Sequence, residues 1–250
     1  MTTRTALGEV LKHKLVHYSI FNRAIERVDY FATVLEPEYD LVCKDKHFRA
    51  KSVFFRYVSK RVDVPFPDLT KKANGVIQIG HSGNMLLNHV YIMRLMHRRG
   101  IKVQQVYSPL SYGCGLKYRD WVIKNGEKYF GHKFNPLLNF LPFEEYQAIT
   151  NSISALIIGA DRQIALGNIT IAMEVGTKVF LPKDSVTYRY LKTEGLKIYS
   201  IEDDLTQDEI DTPMSLNDVI KNRTWVTAYR NYDENVAKIN DSIQMIMANK

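Results

Sequence analysis

From Val76 onward, short β-branched runs alternate with segments of helical period, and few architectures accept that rhythm. Val76–Ile79, Val103–Tyr107, Ser154–Ile158, Lys178–Leu181 and Lys197–Tyr199 read as strands. Between them Leu86–Arg99, Tyr118–Lys124, Phe143–Thr150, Ile169–Val175 and Val186–Thr193 read as helices. Gly100, Gly176 and Gly195 stop three of these helices, and Asn125-Gly126 stops a fourth. Pro142 opens the helix at Phe143, with Glu144 and Glu145 in the first turn, where the helix dipole favours them. Strands joined in this way form a parallel sheet covered on both faces, so the fold class is α/β. Ligands of such sheets lie outside the carboxyl ends of the strands. That rule puts Gly80–Asn84, Ser108–Gly113 and Gly159–Asn168 on one rim.

The first of these loops carries the most chemistry. Val76-Ile-Gln-Ile79 breaks at Gly80-His81-Ser82-Gly83-Asn84 and a helix follows, which is strand, tight turn, helix. The turn amides and the helix N-terminus then offer partial positive charge to an anion. Gly80 and Gly83 are expected to take positive φ and let a phosphate approach the backbone. Ser82 and Asn84 suit the N-cap and can donate to phosphate oxygens. The loop is neither the three-glycine dinucleotide fingerprint nor a P-loop, and a plain structural turn is the competing reading. On the third loop, Arg162 offers a planar fork for diphosphate oxygens, beside Gln163. Gly167 and Asn168 start a second helix aimed at the same rim, and Glu174 further along it is placed to accept from a ribose hydroxyl. Tyr112, with Ser108 and Ser111, supplies an aromatic and hydroxyls near a base or sugar, and His89 is within reach of the phosphate end. Their bland alternatives are a surface arginine, an exposed helical carboxylate and a core histidine. No His, Cys or Asp cluster has metal-ligand spacing, and no Gly-x-Ser-x-Gly elbow occurs.

Before Val76 the pattern differs. Residues 6–27 read as a basic amphipathic helix, with Leu7, Val10, Leu11, Leu15, Ile20, Phe21 and Ile25 on one side and Lys12, His13, Lys14, His17, Arg23 and Arg27 around it. Tyr30–Val34 and Ser52–Val58 read as strands, and Val64–Gly75 as a linker. Trp225–Met247 reads as one long closing helix. Residues 1–61 hold 12 Lys and Arg against 7 Asp and Glu, five of the net seven positive charges, which suits an anionic partner. At 250 residues, 45% hydrophobic and 24% charged, the composition is that of a globular protein and argues against a disordered chain. The two cysteines, Cys43 and Cys114, make neither a disulfide framework nor a zinc site. The first residues do not read as a secretory signal, and no apolar run is long enough to span a bilayer.

Ile79-Gly80-His81-Ser82-Gly83-Asn84 with Asn88-His89, and Pro109-Leu-Ser-Tyr112 with Tyr118, resemble the bacterial TDP-Fuc4NAc:lipid II Fuc4NAc transferases of enterobacterial common antigen synthesis. Leu141-Pro-Phe-Glu-Glu-Tyr146, Arg162-Gln163 with Gly167, and Gly176-Thr-Lys-Val-Phe-Leu181 extend the likeness over residues 7–205. The resemblance implies a two-domain GT-B fold whose Rossmann-like C-terminal domain holds the nucleotide-sugar. It implies an inverting glycosyltransferase, peripheral on the cytoplasmic face of the bacterial inner membrane, needing no cofactor. Its implied partners are a nucleotide-diphosphate sugar donor, a polyprenyl-diphosphate-linked saccharide acceptor and the anionic membrane surface, with no nucleic acid. His81 stands where the family usually has Asn, and Asn84 where it tends to have Asp. The chain also starts roughly where the family's N-terminal domain is ending. The domains expected are therefore an N-terminal acceptor-side remnant over 1–68, a nucleotide-sugar domain over 69–224, and a helix over 225–250 packing back toward the N-terminal part.

The expected binding set is thus Gly80, His81, Ser82, Gly83, Asn84, Asn88, Tyr112, Arg162, Gln163, Gly167, Asn168 and Glu174, with Arg162 and His89 as catalytic candidates. The competing function is a non-catalytic nucleotide-sugar-binding module. Nucleic-acid binding is the weaker third, since neither a single-strand stacking platform nor a recognition-helix module is visible.

Overall fold

The computed structural model describes residues 20–57, 64–72 and 75–249. Of the helix expected over 6–27, residues 20–25 are helical, and the stretch with His13 and His17 lies outside the described residues. The elements run β1 (Tyr30–Phe31), α1 (Glu36–Val42), β2 (Lys51–Ser52), β3 (Val76–Ile79), α2 (His89–Arg98), β4 (Gln105–Pro109), α3 (Leu116–Phe130) and β5 (Phe134–Leu137). They continue α4 (Phe143–Ser152), β6 (Ala155–Ile157), α5 (Leu166–Glu174), β7 (Lys178–Leu181), α6 (Val186–Thr193), β8 (Tyr199–Ser200), α7 (Gln207–Asp211), α8 (Leu216–Tyr229) and α9 (Tyr232–Ala248). Two compact units result, Arg61–Arg230 and the pair Met1–Lys60 with Asn231–Lys250.

In the larger unit six parallel strands stand in the order β5-β4-β3-β6-β7-β8, the Rossmann order. The direction of winding reverses between β3 and β6, where Ile77, Gln78 and Ile79 face Ala155, Leu156 and Ile157. Alternation along each strand feeds two cores. Ile77, Ile79, Ile157 and Phe180 pack with Ile92, Met93 and Met96 of α2 on one face. Leu156, Val179 and Leu181 pack with Ile169 and Met173 of α5 on the other.

Four expectations need correction. β5 is a strand missed in the sequence because it contains Pro136; as the edge strand, it can spare that residue's missing N–H. α3 does not stop at Gly126 but runs to Phe130, because Gly126 is there for close approach: a Cβ would fall on the Phe134 ring. The closing helix is two helices. Asn231 caps α9 by accepting from the Glu234 N–H, while Arg230 turns away to bond within the larger unit. The linker is no free spacer. Lys72 is buried and donates to Asn151 O at 2.7 Å, Ile153 O at 3.2 Å and Thr177 Oγ1 at 3.0 Å, beneath the amino ends of β6 and β7. Arg223 holds the same segment through Val64 O and Pro65 O.

The smaller unit is built on β1 and β2, paired in parallel and shorter than the strands expected. Phe48 packs edge-on against Phe31 and Tyr39, and the Tyr39 hydroxyl donates to Ala50 O at 2.7 Å. α9 joins it, its Ser242 Oγ accepting from the Phe54 N–H at 3.0 Å. A crevice of about 280 Å³ lies beside the strand ends, lined by Thr33, Val34, Glu36, Phe54, Phe55 and Arg56. No helix among the described residues is long and apolar enough to cross a membrane.

Candidate functional site at the sheet switch point

The loop after β3 turns on Gly80, whose φ is +74°. A side chain there would be strained, and its Cβ would fall on His89 Nε2, so only glycine fits. The Gly80 N–H donates to Ile157 O at 2.9 Å, fastening the loop to β6. Gly83 differs from expectation, having no positive φ. It is glycine because a Cβ would overlap Cys114 Sγ, and its N–H donates to Tyr112 O at 2.7 Å. Two of the loop amides are therefore taken by protein acceptors. Ser82 is buried, and Asn84 caps a short 3₁₀ turn, Met85–Leu87, rather than α2. The α2 cap is Asn88, held left-handed at φ 53° with its side-chain amide donating to Gly159 O at 2.7 Å. That bond ties the loop after β3 to the loop after β6 across the switch point. The first-turn amides of α2 and α5 have no acceptor within their own helices, and both helices start at this rim.

His89 opens α2 fully buried, its Nδ1 3.2 Å from the Tyr118 hydroxyl. Its Nε2 lies beneath Gly80 with no hydrogen-bond partner. Burial lowers its pKa to about 4, opposed in part by the Ser82 backbone. His89 is thus a neutral ring under the loop, out of reach of a reacting atom. His81, in the loop itself, also has an enclosed Nδ1 with no partner, and burial moves its pKa down.

On the loop after β4, the Tyr112 hydroxyl donates to His81 O at 3.4 Å. Its ring stacks on Phe140 at 5.4 Å and 14°, and Phe140 is 76% exposed, a flat aromatic face open to solvent. On the loop after β6, Arg162 is exposed and Gln163 half-buried. Asn168, in the first turn of α5, donates to the Tyr146 hydroxyl at 2.9 Å, and Gln78 Nε2 donates to the same oxygen at 3.3 Å and to Gly80 O at 2.8 Å. Tyr146 thereby links β3, α4 and α5 at the rim. Gly167 lies exposed beside Asn168, its carbonyl accepting from Arg230 at 3.3 Å.

Glu174 stands apart from the others. It ends α5, and roughly 12 Å of helix separates its backbone from the rim at 1.5 Å per residue. Its carboxylate is buried and paired with Arg230 at 3.3 Å, while Arg230 also bonds Thr170 Oγ1 at 2.5 Å. Gln78, Phe140 and Tyr146 are rim residues that reading the sequence for site chemistry does not single out. A signal existed for Gln78, the lone polar residue in an apolar strand, but none for Phe140. Among the described residues no three His, Cys, Asp or Glu side chains are grouped to hold a metal ion.

No protein-family model and no curated protein matches the sequence. Solved structures do. A sucrose-phosphate synthase from Thermosynechococcus elongatus superposes with a TM-score of 0.67 over 93% of this chain and 62% of its own length, at 12% identity. Looser likenesses are to AviGT4, a glycosyltransferase involved in avilamycin A biosynthesis (TM-score 0.49, 10% identity, 71% of this chain and 52% of that one), and to a GtfA/B complex (0.44, 8%, 90% and 44%). The chain spans 44–62% of the length of these structures. The six-stranded parallel sheet and the sucrose-phosphate synthase likeness together define the fold as GT-B type, with the larger unit as its Rossmann-like domain.

Proposed function

We propose that this chain is a glycosyltransferase whose donor, a nucleotide-diphosphate sugar, sits on the rim between β3 and β6. The observation that carries the reading is the Asn88–Gly159 bond, which ties the cap of α2 to the loop that leads into α5. The diphosphate lies against their first-turn amides, with Arg162 closing over it from the neighbouring loop, and the base lies on the Tyr112–Phe140 stack. As the bond from the sugar C1 to the diphosphate oxygen breaks, negative charge builds on the leaving group. Fixed amide dipoles stabilise that charge without reorganising, and the Arg162 guanidinium adds to them once it has closed.

The finer reading is an inverting transfer of an amino-deoxy sugar of the Fuc4NAc type to a polyprenyl-diphosphate-linked saccharide, at the cytoplasmic face of a bacterial inner membrane. The motif series from Ile79 to Leu181 supports it, and the basic residues of the smaller unit suit an anionic membrane. A second reading, a nucleotide-sugar-binding module without catalysis, is favoured by one observation: His89 is enclosed and offers no base to an acceptor hydroxyl. Product formation separates the two. Transfer of label from TDP- or UDP-linked amino-deoxy sugar to a polyprenyl-diphosphate saccharide supports the enzyme. Donor binding without product supports the module, and binding of neither overturns both.

A further inference from the structure

The imidazoles under and within the Gly80–Asn84 loop have a consequence for how an anion can be held there. Gly80 and Gly83 have already given their N–H groups to Ile157 O and Tyr112 O, and the Asn84 N–H points to Ser82 Oγ at 3.4 Å. The His81 and Ser82 amides of the loop have no acceptor among the described residues and are left for a ligand. Two ring nitrogens, His81 Nδ1 and His89 Nε2, are enclosed there with no hydrogen-bond partner. Resting on the reading of this rim as a diphosphate site, we propose that the diphosphate binds together with one proton, which is taken up by the His81 imidazole.

The groups facing the two rings fit that assignment. From α3 the Tyr118 hydroxyl meets His89 Nδ1, and from the loop after β4 the Tyr112 hydroxyl meets the His81 carbonyl, while Cys114 Sγ lies against Gly83. Tyr146 on α4 is close enough for its hydroxyl to feel Tyr112. None of these is a carboxylate, so in the free protein they leave a cation at His81 uncompensated, and burial keeps the ring neutral. A positive charge on either histidine also works against the other. A diphosphate reverses the balance at His81, because an opposite charge within a few ångströms favours the protonated ring. His89, fully enclosed and with one nitrogen on Tyr118, stays neutral, so one proton is taken from solvent and not two. His81 then supplies charge that the loop amides do not.

Uptake of a proton on binding means that affinity rises as pH falls, at most about tenfold per pH unit between the free and bound pKa values. The test is calorimetric titration of ADP, GDP, UDP and TDP, with the tightest binder then measured near neutral pH in buffers of different ionisation enthalpy. The parent should take up close to one more proton than His81→Asn, and its affinity relative to that variant should grow several-fold from about pH 8 to about pH 6. His81→Lys, charged throughout, should bind without extra proton uptake and keep its affinity at the higher pH. Equal proton counts for parent and His81→Asn, or parallel pH profiles, overturn the inference while leaving the donor site standing. Failure of all four nucleotides to bind the parent overturns the donor site and the inference together.

Discussion

At the scale of single residues, the rim separates side chains that can touch a ligand from those that shape it. Arg162 belongs to the first group, exposed on the loop after β6. Arg162→Ala should weaken nucleoside-diphosphate binding by roughly 1.5–3 kcal/mol, the range for hydrogen bonds to a charged group; unchanged affinity in a calorimetric titration would remove it from the site. His89 belongs to the second. Its folded pKa of about 4 lies below that of the unfolded chain, so the unfolded state binds the proton first as pH falls. The stability this group contributes is whole above about pH 6.5 and is lost toward pH 4, at up to about 1.4 kcal/mol per unit. Thermal melts over that window should fall less steeply for His89→Gln than for the parent, and identical slopes would show that His89 is protonated in the fold. The role of Gly83 was only half legible. Its need to be glycine is visible in the sequence, where positive φ is the expected reason, and the structure gives Cys114 instead. A contact 31 residues away in the chain leaves no local trace.

Elements show the same division between local and distant causes. β3, β6 and β7 were readable because each is a compact apolar run at the centre of the sheet. β5 was not, because Pro136 argues against a strand unless one knows that the strand is at the edge. The break between α8 and α9 was hidden too, since apolar period continues across it. What ends α8 is Arg230, drawn to Glu174 and Thr170, partners far off in sequence. Tyr146 is the clearest element-scale test, joining β3, α4 and α5 through Gln78 and Asn168. Tyr146→Phe removes an acceptor from two amide donors and should cost about 1–3 kcal/mol in denaturant unfolding. A loss below about 0.5 kcal/mol would mean that the three elements hold their places without it. At the loop, Gly83→Ala should destabilise the protein, and Cys114→Gly in the same chain should restore part of the loss. Strict additivity of the two changes would show that the loop avoids Cys114 by moving elsewhere.

On the scale of the whole molecule, the α/β alternation was enough to foresee a parallel sheet, with the loops after β3, β4 and β6 along one rim of it. The sequence could not show that Glu174 would be buried against Arg230, because helical spacing fixes a face and not what packs on that face. Nor could it show that the rim would carry the Tyr112–Phe140 stack, a pairing of two loops. The central claim is one of place: the nucleotide-sugar binds where β3 and β6 diverge. Hydrogen–deuterium exchange with and without a saturating nucleoside diphosphate tests it most directly. Protection should appear in peptides covering residues 80–91, 110–115 and 159–170, with little change at 33–36 and 52–56 beside the crevice of the smaller unit. Protection confined to that crevice, or none at the rim under conditions where binding is saturated, would contradict the account.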